Sequence, residues 1–263
     1  MSQVSASWVC NSSQCHSFAA LQGLYLPTPS GFTWRDQVPT VDEAIVTMKA
    51  AVENGMVLWS GAEIYGTPEY NSMHLLKAYF TKYPEDADKV IIAIKGGVDP
   101  VNHKEDGTTE GTRRSIQRII DGLGGTKKLD IWGPGRRDPN TPLSETFAAA
   151  QEFIDAGQLG GVFLSEVNPQ TLREGVAAAK LALCEVELSM FTPDILKNGV
   201  AAICAENNIP IMAYSPNGRG VSLLEYRHFM ASYTDSLFIA PHGPLQRVQP
   251  YRRLHRHLPS PQR

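Results

Sequence analysis

The chain has 263 residues, of which 42% are hydrophobic, so it is long enough and apolar enough to bury a full core. That composition excludes disorder of the whole chain. The net charge of -3 and the isoelectric point near 6.2 give no electrostatic reason to expect a nucleic-acid or membrane-surface partner.

The four cysteines stand at positions that match neither a disulfide framework nor a zinc ribbon. Cys184 and Cys204 lie in apolar segments, whereas Cys10 and Cys15 lie in a polar beginning. We therefore expect a reducing compartment. No apolar run reaches the length of a membrane span, and the first residues lack the basic and apolar regions of a signal peptide. The sequence predicts a soluble, cytoplasmic protein.

From residue 40 onward, helical and strand-like segments alternate. Thr40 and Glu43 form the pattern of a capping box at the start of a helix, which we expect to end at Gly55. The predicted helices cover 40–55, 71–84, 112–124, 141–157, 168–181 and 198–208. The predicted strands cover 56–61, 90–97, 128–134, 159–166, 182–189 and 209–217.

The character of the strands indicates the fold class. Each strand is a continuous apolar run without polar alternation, which is typical of a parallel sheet covered on both faces. Such alternation of strands and helices favours either a doubly wound sheet or a (β/α)8 barrel. No strand-to-helix turn carries the glycine fingerprint of a dinucleotide-binding doubly wound fold. Polar residues instead follow the strands, at positions that a barrel brings to one face: Ser60, Lys95, Arg136, Ser165, Glu166 and Ser215. We therefore predict a (β/α)8 TIM barrel of the α/β class.

The two ends of the chain fit a barrel less well. Residues 1–30 offer only ALQGLYL as an opening strand, and no clean strand and helix follow Gly220. We therefore divide the chain into a divergent segment at 1–30, the barrel at 31–220 and a divergent tail at 221–263. The predicted barrel is incomplete because its eighth βα unit is missing or unrecognisable, and the tail is expected to be poorly ordered. The HRH motif at 255–257 could hold a metal, but a basic tail favours no metal site.

Three motifs at strand ends carry a family resemblance: GAEIYG around Tyr65, IAIKGG around Lys95, and AYSPNGRG after the last strand. With them the chain resembles the aldo-keto reductase superfamily, whose (β/α)8 barrels use NADPH to reduce aldehydes and ketones. Four further motifs resemble the fungal pyridoxal reductases: GFTWR, YGTPEYNSMHLL, YFTKYPEDADKVIIAIKGG and GRRDPNTP. The resemblance covers about residues 31–220. It implies reduction of pyridoxal to pyridoxine, or of a related aldehyde.

The resemblance also implies roles for three residues. Tyr65 matches the acid that protonates the carbonyl oxygen while hydride reaches the carbonyl carbon. A free tyrosine has a pKa of about 10, so it needs a neighbouring cation to give up its proton readily. Lys95, at the end of the next strand, matches that cation. Taken alone, Tyr65 could be a packing residue and Lys95 a lysine that reaches solvent. The position of Lys95 in register with Tyr65, on the next strand, favours the catalytic interpretation of the pair. Ser60 replaces an aspartate of many relatives, so it can hydrogen-bond Lys95 but cannot neutralise it.

For NADPH, the resemblance implies contacts between the carboxamide and Ser165, Glu166 and Glu187. Tyr214 matches the residue that stacks on the nicotinamide ring, and the alternative is that it is a core residue. The loop after the last strand suits a pyrophosphate because its backbone NH groups can surround an anion. The residues of that loop are Ser215, Asn217, Gly218 and Arg219.

Several alternatives remain open at this point. Gly135 stands where many relatives have a histidine that orients the carbonyl. Arg136 or Arg137 could approach a phosphate or a carbonyl, or could belong to a solvated loop. The whole chain could be a catalytically inactive homologue that acts as a binding protein, or a barrel isomerase that needs no nicotinamide. The oligomeric state is not indicated by the sequence.

Overall fold

The computed structural model describes residues 40–66, 70–99 and 102–216. Within them, six parallel strands form one sheet in which each strand pairs with the next along the chain. Sequential pairing is the order of a (β/α)8 barrel, whereas a doubly wound sheet reverses its order at a switch point. The predicted fold class is therefore confirmed. The opening strand expected in 1–30 and the tail at 221–263, with its HRH motif, lie outside the described residues.

The sheet and its helices have the following bounds. The strands are β1 Leu58–Ala62, β2 Ile91–Gly96, β3 Leu129–Pro134, β4 Leu159–Ser165, β5 Leu181–Glu187 and β6 Ile211–Tyr214. The helices are α1 Val41–Glu53, α2 Ser72–Lys82, α3 Thr109–Leu123, α4 Leu143–Asp155, α5 Pro169–Ala178 and α6 Val200–Glu206. Two short 3₁₀ helices that the sequence did not indicate cover Pro84–Asp86 and Asp194–Leu196.

Side-chain caps set where the helices begin. The predicted capping box of α1 is present: Glu43 N donates to Thr40 Oγ1 at 3.3 Å, and Thr40 N donates to Glu43 Oε2 at 2.8 Å. Helix α3 begins three residues before its predicted start at 112, because Thr108 Oγ1 accepts a hydrogen bond from Gly111 N at 3.1 Å. Local hydrogen bonds thus fix the ends of both helices.

A buried carboxylate connects α1, α2 and the chain that enters β2. The side chain of Asp86 is fully buried and accepts hydrogen bonds from Lys49 Nζ, Lys89 Nζ and Tyr79 Oη, each at 2.8 Å. Burial opposes the charged form of this carboxyl, but the three donors outweigh burial and hold the pKa of Asp86 at about 2. Next to this cluster, Tyr79 packs edge-on against Trp59 with ring centroids 5.0 Å apart.

The inner face of the sheet has an apolar layer and, nearer the carboxyl ends, a polar layer. Side chains two residues apart on a strand share a face, so both layers follow from the strand period. The apolar layer consists of Leu58, Ala93, Ile131, Phe163, Leu183 and Met212. Two residues further along each strand, the next layer consists of Ser60, Lys95, Gly133, Ser165, Glu185 and Tyr214. The apolar layer therefore closes the inside of the sheet beneath a set of polar groups.

Candidate active site

A cavity of about 230 Å³ lies at the carboxyl ends of β1, β2 and β3. Active sites of parallel barrels are built at this end of the strands. The cavity is lined from β1 and its turn by Ala62 and Tyr65, from β2 by Lys95 and Gly96, from the β2–α3 connection by His103 and Glu105, and after β3 by Gly135 and Arg136. Two of the predicted site residues, Tyr65 and Lys95, thus share one cavity.

Backbone strain is concentrated at the same end of the sheet. His103, Glu166 and Ser215 follow β2, β4 and β6, and their φ angles are 57°, 52° and 50°. These values lie in the left-handed region, which side chains other than glycine rarely occupy. Strained residues of this kind persist where the surrounding structure holds them, and they cluster at functional sites. The backbone conformation therefore indicates a functional site at the carboxyl end of the sheet, where the cavity also lies.

The turn after β1 positions Tyr65. Tyr65 N donates to Ala62 O at 3.2 Å, and Tyr65 O accepts from Ser72 N at 3.0 Å, so both backbone groups of the tyrosine are tied down. Gly66 has a φ of 125°, and a Cβ there would lie 2.2 Å from Tyr70 O. Only glycine fits that position. The glycine after Tyr65 therefore allows the chain to turn into α2 while the tyrosine remains at the cavity.

Lys95 lies beside Tyr65, as their places in the sequence predict. Ala62 on β1 pairs with Lys95 on β2, and Lys95 Nζ lies 5.3 Å from the centroid of the Tyr65 ring. The predicted hydrogen bond to Ser60 is also present, because Lys95 Nζ donates to Ser60 Oγ at 2.6 Å. The side chain of Lys95 is only 6% exposed, so it does not reach solvent.

Ser60 alone does not neutralise Lys95, and a carboxylate that was not singled out from the sequence supplies the missing charge. Glu185 on β5 accepts hydrogen bonds from Lys95 Nζ at 2.8 Å through Oε1 and at 3.0 Å through Oε2. Ser60 Oγ also donates to Glu185 Oε2 at 2.9 Å, so the three side chains form a closed triangle of hydrogen bonds. The Glu185 side chain is 7% exposed. The carboxylate that Ser60 lacks thus comes from the inner face of β5.

Sequence reasoning missed Glu185 because its contact with Lys95 is not local. The two residues are 90 positions apart and lie on strands separated by β3 and β4. Glu185 also stands inside the apolar run LCEV, and an isolated buried carboxylate there is the only signal that the sequence gives. That signal could have been found, since a carboxylate in a buried strand needs a partner.

A hydrogen-bond network supports the wall of the cavity behind Lys95. The Glu63 carboxylate accepts from Ser115 Oγ at 2.7 Å and from Arg118 Nε at 2.5 Å. Burial raises the pKa of the Glu63 carboxyl, although Arg118 and Ser115 favour its charged form. A Cβ at Gly96 would lie 2.2 Å from Ser115 Oγ. The absence of a side chain at Gly96 therefore lets this network pack directly against β2.

The residues proposed for the carboxamide lie at the ends of β4, β5 and β6. Glu166 Oε1 accepts a hydrogen bond from Glu187 N at 2.8 Å, and Tyr214 Oη donates to Glu187 Oε2 at 3.5 Å. Burial raises the pKa of Tyr214, and the nearby Glu166 and Glu187 carboxylates raise it further. Ser165 is buried and pairs in register with Glu185. These groups therefore form a half-buried acidic and aromatic surface next to the Lys95–Glu185 pair.

The two neighbouring arginines have different surroundings. Arg136 is exposed, lines the cavity, and donates to the carbonyl oxygen of Gly135 at 2.6 Å. Arg137 forms a two-pronged ion pair with Glu174, whose Oε1 also accepts from Leu143 N at 2.9 Å and caps α4. Arg137 therefore has a structural partner, and Arg136 is the one of the two arginines that lines the cavity.

Part of the predicted site lies outside the described residues. Asn217, Gly218 and Arg219 are among the residues not described, whereas Ser215 is buried at the end of β6. In 40–66, 70–99 and 102–216, no three His, Cys, Asp or Glu side chains are arranged to hold a metal ion. No helix in the same ranges is long and apolar enough to cross a membrane.

Comparison with known proteins adds to this geometry. A model described as the aldo/keto reductase family matches residues 30–233. The chain is 35% identical over 192 residues to a probable pyridoxal reductase 2 of Schizosaccharomyces pombe. This match covers 73% of this chain and 58% of that protein. It is 33% identical over 202 residues to a putative pyridoxal reductase of Saccharomyces cerevisiae, and this match covers 72% of this chain and 58% of that protein. The chain thus spans less than two thirds of the length of these curated relatives.

Two solved structures have the same fold. The glycerol dehydrogenase AKR11B4 of Gluconobacter oxydans superposes with a TM-score of 0.60 at 21% identity, over 70% of this chain and 57% of that chain. A thermostable aldo-keto reductase, Tm1743, in a complex with the inhibitor epalrestat, superposes with a TM-score of 0.60 at 20% identity. This match covers 75% of this chain and 70% of that chain. At these identities, the likeness concerns the fold alone.

Proposed function

The chain belongs to the aldo/keto reductase family, and from that premise we propose that it is an NADPH-dependent reductase of an aldehyde, with pyridoxal as the substrate and Tyr65 as the proton donor. The observation that carries this proposal is the position of the Tyr65 ring 5.3 Å from the ammonium group of the buried Lys95, in a cavity at the carboxyl end of the sheet. A packing tyrosine needs neither a buried cation nor a cavity.

Proton transfer is the step that this chain's residues perform. The Tyr65 hydroxyl donates a proton to the carbonyl oxygen as negative charge develops there, which leaves a phenolate. The positive charge of Lys95 stabilises that phenolate, because opposite charges a few ångströms apart in a poorly solvated site attract strongly. Solvent returns the proton to Tyr65 after the product leaves. The low exposure of Lys95 keeps its charge from being screened by water.

The residues at the ends of β4, β5 and β6 fit the nicotinamide end of the cofactor. Glu166 and Glu187 offer carboxylate oxygens that accept hydrogen bonds from the carboxamide NH2, and Ser165 adds a hydroxyl. Tyr214 offers an aromatic face for the ring. The cofactor, when bound, supplies the hydride that reduces the carbonyl carbon. The loop that begins at Ser215 would hold the pyrophosphate through its backbone NH groups.

The cavity favours a small polar aldehyde. Its volume of about 230 Å³ lies below the range of roughly 300–1,000 Å³ for drug-sized ligands. Arg136, His103 and Glu105 line it, so it presents a cation, an imidazole and a carboxylate to the substrate. Pyridoxal carries a phenolic oxygen, a hydroxyl group and a ring nitrogen that such groups can recognise. The names of the fungal relatives support the same substrate.

The test is reduction of pyridoxal by the purified chain, followed as consumption of NADPH. We expect turnover by the unaltered chain and a loss of about 10²- to 10⁴-fold in Tyr65→Phe, because that is the usual contribution of a general acid. Tyr83→Phe is the matched control, since it removes the same hydroxyl at the end of α2, outside the cavity. Turnover retained in Tyr65→Phe would refute the role of Tyr65. No turnover with any aldehyde would favour the inactive homologue, and loss of a substrate, measured directly in the absence of added nucleotide, would favour an isomerase.

The cytoplasmic location stays a prediction, as does the division of the chain at 30/31 and 220/221.

A further inference from the structure

We propose that Glu185 is the counterion that keeps Lys95 charged and correctly placed beside Tyr65, so that the charge support for the proton donor comes across the inside of the barrel from β5. This inference rests on the proposed function, and it assigns a positioning role to a residue outside the predicted site. Its basis is the closed triangle of hydrogen bonds among Ser60, Lys95 and Glu185, with distances of 2.6, 2.8 and 2.9 Å.

The burial of the pair argues for a specific arrangement. Both side chains are less than a tenth exposed, and each charged group has lost most of its water. A buried ammonium without a carboxylate is strongly unfavourable, and a serine hydroxyl alone cannot replace the missing charge. With Glu185 in contact, the buried ion pair has no net charge. Glu185 thereby explains how the chain tolerates Ser60 beside Lys95.

The geometry also restricts where the ammonium can be. Both Glu185 oxygens and Ser60 Oγ accept hydrogen bonds from Lys95 Nζ, from β5 on one side and β1 on the other. A long lysine side chain has many rotamers, and contacts from two strands select one of them. The selected position is the one that places the ammonium 5.3 Å from the Tyr65 ring centroid. Glu185 therefore acts on Tyr65 through Lys95 without touching a substrate.

Other charged and titratable groups line the cavity beside Lys95 or stand at the neighbouring strand ends, so a pH effect must be assigned by substitution. They are Tyr65 and Glu63 after β1, His103 and Glu105 after β2, Arg136 after β3, Glu166 after β4, Glu187 on β5 and Tyr214 on β6. Glu185 is the carboxylate to change because both of its oxygens accept hydrogen bonds from Lys95 Nζ.

The experiment moves the carboxylate from β5 to β1. Glu185→Gln keeps the shape of the side chain and removes its charge. The double variant Ser60→Asp/Glu185→Gln returns one carboxylate to the position that already contacts Lys95. We expect pyridoxal turnover to fall by about 10-fold or more in Glu185→Gln, which is a loss of about 1.4 kcal/mol or more of transition-state stabilisation. We expect the double variant to recover most of that loss.

The pH profile separates a positioning role from a structural one. Removing the carboxylate takes away a negative charge near the phenolate that Tyr65 forms, so the basic limb of the profile should move to lower pH in Glu185→Gln. It should return toward the unaltered position in the double variant. Asp86→Asn is the matched control: it removes another buried, lysine-paired carboxylate far from the cavity, so it should lower stability without moving the profile.

The outcomes distinguish this inference from the proposed function. If the unaltered chain turns over aldehydes, an unmoved profile in Glu185→Gln, or a double variant no better than the single one, overturns the role of Glu185. If the unaltered chain has no turnover, the proposed function fails first. The melting temperature then tests the pair, because a drop in Glu185→Gln that the double variant does not reverse contradicts the pairing. If Glu185→Gln does not fold, folding of the double variant supports the inference and its failure to fold overturns it.

Discussion

The buried carboxylate of Asp86 allows a quantitative test of the structure. Asp86 has no exposed side-chain surface, and three donors lie 2.8 Å from its oxygens. Replacement by asparagine keeps the shape but removes the charge that Lys49 and Lys89 compensate. We therefore expect Asp86→Asn to fold with a lower free energy of unfolding at neutral pH.

The magnitude follows from the pKa of about 2 in the folded chain. Against an ordinary aspartate value of about 3.9, this lowering corresponds to about 2.5 kcal/mol of folding free energy. Because the folded pKa is depressed, the contribution is fully present above about pH 5 and is lost as the pH falls toward 2. At pH 3, about half of it remains by the same relation. The variant lacks this contribution at every pH.

Urea unfolding of Asp86→Asn and of the unaltered chain at pH 7 and pH 3 measures both differences. Asp88→Asn is the control, since Asp88 is exposed and two residues away, and we expect it to change the free energy of unfolding by less than about 0.5 kcal/mol. A loss below about 1 kcal/mol at pH 7, or a loss that does not shrink at pH 3, would refute the reasoning from burial and pairing.

Three further predictions concern the site and its surroundings. Gly133→Ala should cost about 2 kcal/mol of unfolding free energy because its Cβ would lie 2.3 Å from a backbone oxygen. Gly135→Ala is the control, since its Cβ meets nothing nearer than 3.5 Å. Equal melting temperatures of the two variants would contradict this. Arg136→Ala should raise KM for pyridoxal with little change in melting temperature, because Arg136 lines the cavity. Arg137→Ala should lower the melting temperature with little change in KM, because Arg137 pairs with Glu174. The opposite pattern in steady-state kinetics and thermal melting would refute the assignment. Tyr214→Leu should weaken NADPH binding by about tenfold in a fluorescence titration, and unchanged affinity would exclude ring stacking.

Local rules account for what the sequence predicted well. The capping box of Thr40 and Glu43, the apolar strands and the sequential order of the sheet depend on neighbouring residues or on the strand period. The contact between Tyr65 and Lys95 followed because adjacent parallel strands end at the same face. The predicted end of the last strand at 217 was wrong, because β6 ends at Tyr214 and Ser215 turns into the left-handed region.

Contacts across the sheet could not be predicted in the same way. Glu185 and Glu187 share a face of β5, and the spacing alone does not say which of them reaches Lys95. The choice depends on how far the sheet curves, and curvature is a property of all six strands together. The separate fates of Arg136 and Arg137 depend likewise on where α5 presents Glu174. Burial offers the better guide, because a carboxylate inside an apolar strand requires a partner.

Binding of NADPH to the unaltered chain is the most direct measurement of the central claim, because every proposed role assumes a nicotinamide beside Tyr65 and Tyr214. Quenching of the intrinsic fluorescence should report it, since Trp59 and Trp132 are buried in the same sheet. The account predicts saturable binding at micromolar concentrations, weakened in Tyr214→Leu and nearly unchanged in Tyr65→Phe. Absence of saturable binding, in a chain that shows a cooperative unfolding transition, would contradict the reductase proposal.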